Sequence, residues 1–268
     1  MVRFRILQRC EVMVLSEHVF FTFVRLTDPS FDEAYNAWHF LDHRPENLAQ
    51  PGVAWGDRWK IDEGCRAHAL EPDPMLAGTD YVAQYWFRPP YEQSIAAWND
   101  LAEDSHRWGR GPQFPGLERP LRGFYRPVQG YAAPRILVDA DVLPFRPNRG
   151  LNVTLRRYPN PFSAGAHAQY SWYDRDRLPE LLDVPGVAGA WTFSLYEQVR
   201  RPWDRDTREL GKDELRLTLL YLDEDPVETT LAVRRREAEL DSAGRGAPAP
   251  AEEELLVSCP VRSISPWT

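Results

Sequence analysis

Residues 38–59, WHFLDHRPENLAQPGVAWGDRW, recur in outline as residues 172–193, WYDRDRLPELLDVPGVAGAWTF. Trp38 aligns with Trp172, Asp42 with Asp176 and Pro45-Glu46 with Pro179-Glu180. Leu48 aligns with Leu182, and Pro51-Gly52-Val53-Ala54 with Pro185-Gly186-Val187-Ala188, at a constant offset of 134 and without a gap. That offset is half of the 268 residues. It is too long for a solenoid unit, so it reads as duplication of a whole small domain. The two histidines are not repeated: His39 becomes Tyr173, and His43 becomes Arg177.

The flanking patterns give each half the same order of elements. Residues 19–27, VFFTFVRLT, are β-branched and aromatic and predict a strand. Asp28-Pro29-Ser30 is a helix-start signal, and a helical pattern runs to about His43. Pro45 disfavours helical geometry at Arg44, so a kink or restart is expected there before Pro51-Gly52 ends the helix. Residues 53–61 alternate, placing Val53, Trp55, Asp57, Trp59 and Ile61 on one face. A strand at 80–88, a helix at 91–104 and a strand at 121–128 complete a β-α-β-β-α-β order. The second half repeats it at 150–158, 164–182, 186–196, 214–222, 226–240 and 255–262, with 214–222 aligned to 80–88 at the same offset. Long connections fall at 62–79, 107–120, 131–149, 197–213 and 241–254. The expected division is an N-terminal extension (1–18), a first half (19–131), a linker (132–149) and a second half (150–264).

A βαββαβ unit is the ferredoxin-like motif, an antiparallel sheet with helices on one face. Its bare face must be covered, and two units in one chain can cover each other. The expected fold is therefore α+β: two tandem ferredoxin-like units whose antiparallel sheets pack into an intramolecular α+β barrel. In this the chain resembles the dimeric α+β barrel superfamily, with two barrel halves fused. The stretch from Trp38 to Val53, W-x₄-H-x-P-E-x₄-PGV, is most similar to the branch related to ethyl tert-butyl ether degradation proteins (EthD-like). The resemblance implies cofactor-independent cyclases, isomerases, dehydratases or monooxygenases acting on small hydrophobic, aromatic or polyketide-like molecules. It also implies an alternative, because some branches bind haem through a helix histidine.

Net charge is −8, which disfavours nucleic acid and anionic membranes as partners. Cys10, Cys65 and Cys259 are far apart and form no CxxC pair, so a zinc knuckle or disulfide framework is not expected. The N-terminal stretch lacks a signal-peptide h-region and no run is long enough to span a bilayer, so a cytoplasmic protein is expected. Residues 1–17 lie outside the repeat and read as an extra strand or a frayed extension. Dinucleotide, P-loop and GxSxG motifs are absent. Cys65 with Arg66 and His68 reads as a chance neighbourhood, and Arg234-Arg235-Arg236 as a solvated helix face.

The candidate site starts from His39, Asp42, His43 and Glu46, whose i, i+3, i+4, i+7 spacing shares one helix face. His39 and His43 with Glu46 form a possible metal set; equally, one histidine is a general base oriented by Asp42 or Glu46. The bland reading is a solvated charged face. Asp42 and Glu46 recur in the second half, as scaffold residues should, whereas the histidines occur once. Asp57 enters an otherwise apolar strand face, where burial raises its pKa and a neighbouring histidine or arginine can hold it charged; the alternative is an edge position where it reaches solvent or pairs with Arg58. Trp38, Trp55, Trp59, Tyr85 and Trp86 are candidate walls for a flat apolar ligand, although Tyr85 and Trp86 must point to opposite faces.

Three functions follow. The first is a cofactor-free enzyme of lyase, isomerase, cyclase or monooxygenase type. In it His39, His43, Asp42 and Asp57 move or orient a proton, and Arg58 stabilises an oxyanion beside Trp38, Trp55, Trp59, Tyr85 and Trp86. The second uses His39 or His43 to ligate haem or a single divalent metal. The third is a non-enzymatic binding protein. The expected partner is a small hydrophobic substrate, with the chain a monomer or homodimer and its second half serving as scaffold.

Overall fold

The first half runs β1 (Val19–Leu26), α1 (Asp32–Trp38), α2 (Arg44–Leu48), β2 (Val53–Lys60), α3 (Glu63–Arg66), β3 (Tyr81–Phe87), α4 (Tyr91–Arg107) and β4 (Leu117–Ala132). The second runs β5 (Gly150–Arg157), α5 (Ala164–Trp172), α6 (Leu178–Leu181), β6 (Val187–Gln198), β7 (Leu215–Leu222), α7 (Pro226–Ser242) and β8 (Glu254–Ser263). This computed structural model describes residues 16–111, 114–200, 208–248 and 252–264. The expectation for residues 1–15, including Cys10, lies outside them.

All eight strands close into one antiparallel barrel in the order β1-β3-β2-β8-β5-β7-β6-β4. Strands of the first half are ordered β4-β1-β3-β2, and those of the second β8-β5-β7-β6. The two closures are unequal. The β4–β6 closure runs from Gly123 opposite Gln198 to Ala132 opposite Gly189. The β2–β8 closure pairs only Trp59 with Ser263 and Lys60 with Arg262. There Asn148, from the segment between the halves, accepts hydrogen bonds from Trp59 Nε1 at 3.1 Å and Ser263 Oγ at 3.0 Å.

The barrel interior is the main core. Phe21, Trp59, Trp86 and Tyr125 meet Val153, Trp191, Phe193 and Leu219 there. Trp86 meets Trp191 edge-on at 6.0 Å, and Phe21 meets Phe193 at 5.0 Å. Each such side chain contributes about 1.5–3 kcal/mol by leaving water, so this interface holds the two halves together. Helices cover the outer faces: Trp98 of α4 packs with Phe20, Tyr85, Phe87 and Phe124 in the first half, and Leu178 and Leu181 of α6 with Val233 of α7 and Leu220 of β7 in the second.

The proline break is a π-turn in both halves, over His39–His43 and Tyr173–Arg177. Pro45 and Pro179 offer no N–H, so the helix widens by one residue. The N–H of Arg44 then bonds to the carbonyl of His39, and that of Leu178 to Tyr173, five residues back in each case.

Several expectations are corrected. A bulge between Val53 and Trp55 moves Val53 off the face it was expected to share; it packs with the helix-side cluster while Trp59 and Ile61 enter the barrel. The repeat slips by one residue at its third strand. Phe21 pairs with Gln84, and its equivalent Leu155 with Leu217, so Gln84 corresponds to Leu217 rather than Thr218. A one-residue slip reverses every side chain, which is why Thr218 faces the helices and Gln84 the barrel. The connection 62–79 contains α3, capped by Asp62, whose carboxylate accepts from Cys65 N at 2.7 Å. β4 starts earlier and ends later than 121–128. Cys65 and Cys259 are buried free thiols. Among the described residues no helix is long and apolar enough to cross a membrane.

Candidate active site

A cavity of ≈ 240 Å³ lies between the outer face of the first half's sheet and its helices. Alternation on β1 and β3 brings Phe20, Thr22, Ala83 and Tyr85 to its floor. The π-turn supplies His39 and His43, α4 supplies Trp98 and Ser105, and β4 supplies Arg119 and Arg122. Tyr85 reaches it by lying across β2: a Cβ on Gly56, its register partner, would sit 2.2 Å from the ring.

Four buried polar atoms on the cavity wall have no hydrogen-bond partner among the described residues: Thr22 Oγ1, His39 Nδ1, Tyr85 Oη and Trp98 Nε1. Leaving such a group unpaired costs about 1–3 kcal/mol. Four around one apolar space are a set of donors and acceptors for a ligand that carries several oxygen functions.

The two histidines differ in setting. His39 is 3% exposed. His43 stacks on Trp38, with centroids 4.5 Å apart and planes at 17°. Asn47 Nδ2 donates to the His43 carbonyl at 2.7 Å and approaches both ring nitrogens at 3.3 Å, which fixes the imidazole. Burial, then the Arg58 guanidinium and neighbouring cations, hold His39 well below the usual histidine range. Burial, then Arg119 and Arg58, push His43 down to about 3. Both imidazoles are neutral at pH 7. Arg119 lines the cavity and forms no ion pair among the described residues.

Of the expected site residues, His39, His43 and Tyr85 line this cavity, as does Glu46. Asp42 turns outward to Arg110, and Glu46 is held by Arg110 Nη1 at 2.9 Å and Ser105 Oγ at 3.0 Å, so neither orients a histidine. Trp38 backs His43 from outside. Trp59 and Trp86 belong to the barrel core, and Trp55 packs beside it against Phe145. Asp57 is drawn to Arg44, not Arg58, at 3.5 Å; burial raises its pKa and Arg44 opposes that rise. Glu46 is committed to Arg110 and Ser105, and no group of three or more His, Cys, Asp or Glu among the described residues is placed to hold a metal ion. Thr22, Trp98, Asn47, Arg119 and Arg122 escaped sequence reasoning. Only Thr22, the one polar residue in VFFTFV, carried a local signal.

Arg58 is 1% exposed and does not line the cavity. Its guanidinium lies 5.1, 5.1 and 4.7 Å from the ring centres of Tyr35, Phe40 and Tyr81. Nη2 donates to Asn36 Oδ1 at 2.5 Å, while Nε and Nη1 have no partner among the described residues. Burying a lone cation costs several kcal/mol, and each ring contact returns about 0.5–2 kcal/mol, so the two nearly cancel. Arg58→Met is therefore expected to shift stability by less than about 2 kcal/mol and to raise the pKa of His39. NMR titration of the histidine ring protons checks this. An unchanged His39 would mean that Arg58 does not act on it.

No protein-family profile matches the sequence, and no curated protein matches it. Solved structures do match in fold. A DypB variant in complex with manganese shares 9% identity, covering 96% of this chain and 96% of that one, with a TM-score of 0.54. A Rhodococcus jostii DypB variant in complex with heme shares 10%, covering 94% of each chain, with a TM-score of 0.51. A Fusobacterium nucleatum protein provisionally named a monooxygenase shares 7%, covering 93% of this chain and 94% of that one, with a TM-score of 0.51. The likeness is one of fold, a closed α+β barrel, and at these identities it extends no further.

Proposed function

We propose that the first-half cavity is the active site of a cofactor-independent enzyme that moves a proton on a small, largely apolar, oxygenated molecule of aromatic or polyketide-like type. The observation that carries this reading is the convergence of four unpartnered polar atoms and two neutral imidazoles on one apolar cavity beside Arg119. In this reading His43 takes a proton from an enolisable carbon or a phenol. The electron pair left behind moves onto oxygen, where Arg119 faces it. Thr22, Tyr85 and Trp98 hold the remaining oxygen functions. Cyclase, isomerase, dehydratase and cofactor-free monooxygenase chemistry all share this first step.

The same reading takes the chain as two fused ferredoxin-like halves, 19–131 and 150–264, joined by 132–149. Their matching strand orders support it. The motif from Trp38 to Val53 supports the EthD-like branch. The test is a screen of hydroxylated aromatic and polyketide-like compounds for turnover by the purified protein, with its absorbance spectrum recorded alongside. Turnover by colourless protein is expected. A Soret band would overturn the cofactor-free reading, and tight binding without turnover across the screen would leave a binding protein.

A further inference from the structure

The second half has a cavity in the corresponding place, but with different chemistry. About 350 Å³ lies between the outer faces of β5 and β7 and the helices α5 and α7. Where the first cavity has Thr22, His39 and His43, this one has Arg156, Tyr173 and Arg177.

Its three arginines are already matched. Arg156 Nε meets Glu253 at 2.7 Å, Arg216 Nη2 meets Asp174 at 3.3 Å, and Arg177 meets Asp241. Each also lies over a ring: Arg156 over Tyr173 at 5.3 Å, Arg216 over Tyr170 at 4.3 Å and Arg177 over Trp172 at 4.8 Å. These pairs use three of the four carboxylates on the wall. The fourth, Glu237, makes no side-chain hydrogen bond or ion pair among the described residues; burial raises its pKa, and the more distant charges of Arg156 and Arg177 oppose that rise. Gln169 Oε1 and Tyr170 Oη are buried and also unpartnered. The unmatched groups are thus one carboxylate, one amide oxygen and one hydroxyl. All accept hydrogen bonds, and the wall carries one negative charge in excess.

We propose that this second cavity binds a small organic monocation rich in N–H donors, a primary alkylamine or alkylguanidine, whose charge meets Glu237 and whose N–H groups reach Gln169 and Tyr170. The aromatic walls suit a short alkyl chain. The second half is then a ligand site in its own right, independent of the chemistry proposed for the first.

The test is calorimetric titration of the full chain with butylamine and butylguanidine, against 1-pentanol and pentanoate as neutral and anionic controls of similar size. The cations are expected to bind with a Kd near or below about 1 mM, and both controls at least about tenfold more weakly. Glu237→Gln, which keeps the side-chain shape, is expected to weaken the cations at least about tenfold, with an unfolding transition like that of the parent. Tyr170→Phe should weaken them less, and His43→Ala should leave them unchanged. Stronger binding of pentanoate would overturn the proposal in favour of an anion site on the arginines. Equal affinity in Glu237→Gln, loss of binding in His43→Ala, or no heat from either cation would also overturn it.

Discussion

His43→Ala is expected to lower turnover of a substrate found in the screen by about 10²–10⁴-fold, the usual contribution of a positioned acid–base group, while Kd changes by less than about tenfold. His43 is the imidazole that Trp38 stacks upon and Asn47 fixes, and it shares the cavity with Arg119. With its pKa held at about 3, it is a free base across the whole working range. Its conjugate acid is strong, so proton transfer to it is favourable only where the anion left behind is stabilised. Arg119 does that, and the new anion in turn stabilises the imidazolium. The rate profile should record this. kcat/KM should stay flat from about pH 8 to about pH 4, falling only as the free histidine protonates. An acid limb near pH 6.5 would point to a solvated histidine and sink His43 as the base. Loss of binding in proportion to turnover would make it a ligand-binding group instead.

How much of this was legible in the sequence differs from element to element. The strands were legible because alternation and β-branched content are local, and the proline-marked helix break because a missing N–H acts within one turn. The repeat was legible as sequence, and it pointed to His39 and His43 because they lie among repeated residues yet occur in one copy only. The wall of the cavity was not legible. Arg119 and Arg122 sit on a strand whose start fell inside a presumed connection, and Trp98 looked like one apolar residue of a helix. Only β1 lying beside β3 and β4 brings Thr22, Tyr85 and Arg122 together, and such register is fixed by contacts distant in sequence. Trp59 and Trp86 misled for a related reason. An aromatic on a strand has two faces to choose from, and here the barrel side is the core. Asp42 and Glu46 share the histidine face of an ideal α-helix, but Arg110, beyond the end of α4, takes both.

The histidines should also make stability depend on pH in a definite direction. Above pH 6.5 both are neutral in the folded and unfolded chain, so they add no slope. Below it the unfolded chain takes up protons at its two imidazoles, while the folded chain refuses them until much lower pH, about 3 for His43. Stability is then lost as pH falls, by up to about 1.4 kcal/mol per pH unit for each histidine. His43 keeps some exposure to the cavity and its share is discounted, giving a combined loss of about 3–5 kcal/mol between pH 6.5 and 4.5. Asp57, Asp174 and Glu237 have pKa values raised by burial, so the folded chain takes their protons first and they gain stability as pH falls. A bare profile would mix the two signs. The difference between the parent and a His39→Leu/His43→Leu variant removes the carboxylates common to both. Urea unfolding should show that difference constant from pH 7 to 8 and moving against the parent by the stated amount down to pH 4.5. A difference that stays constant throughout would mean that the folded protein protonates these histidines as readily as the unfolded chain does. Neutral imidazoles would then be lost as the basis of the proposed chemistry.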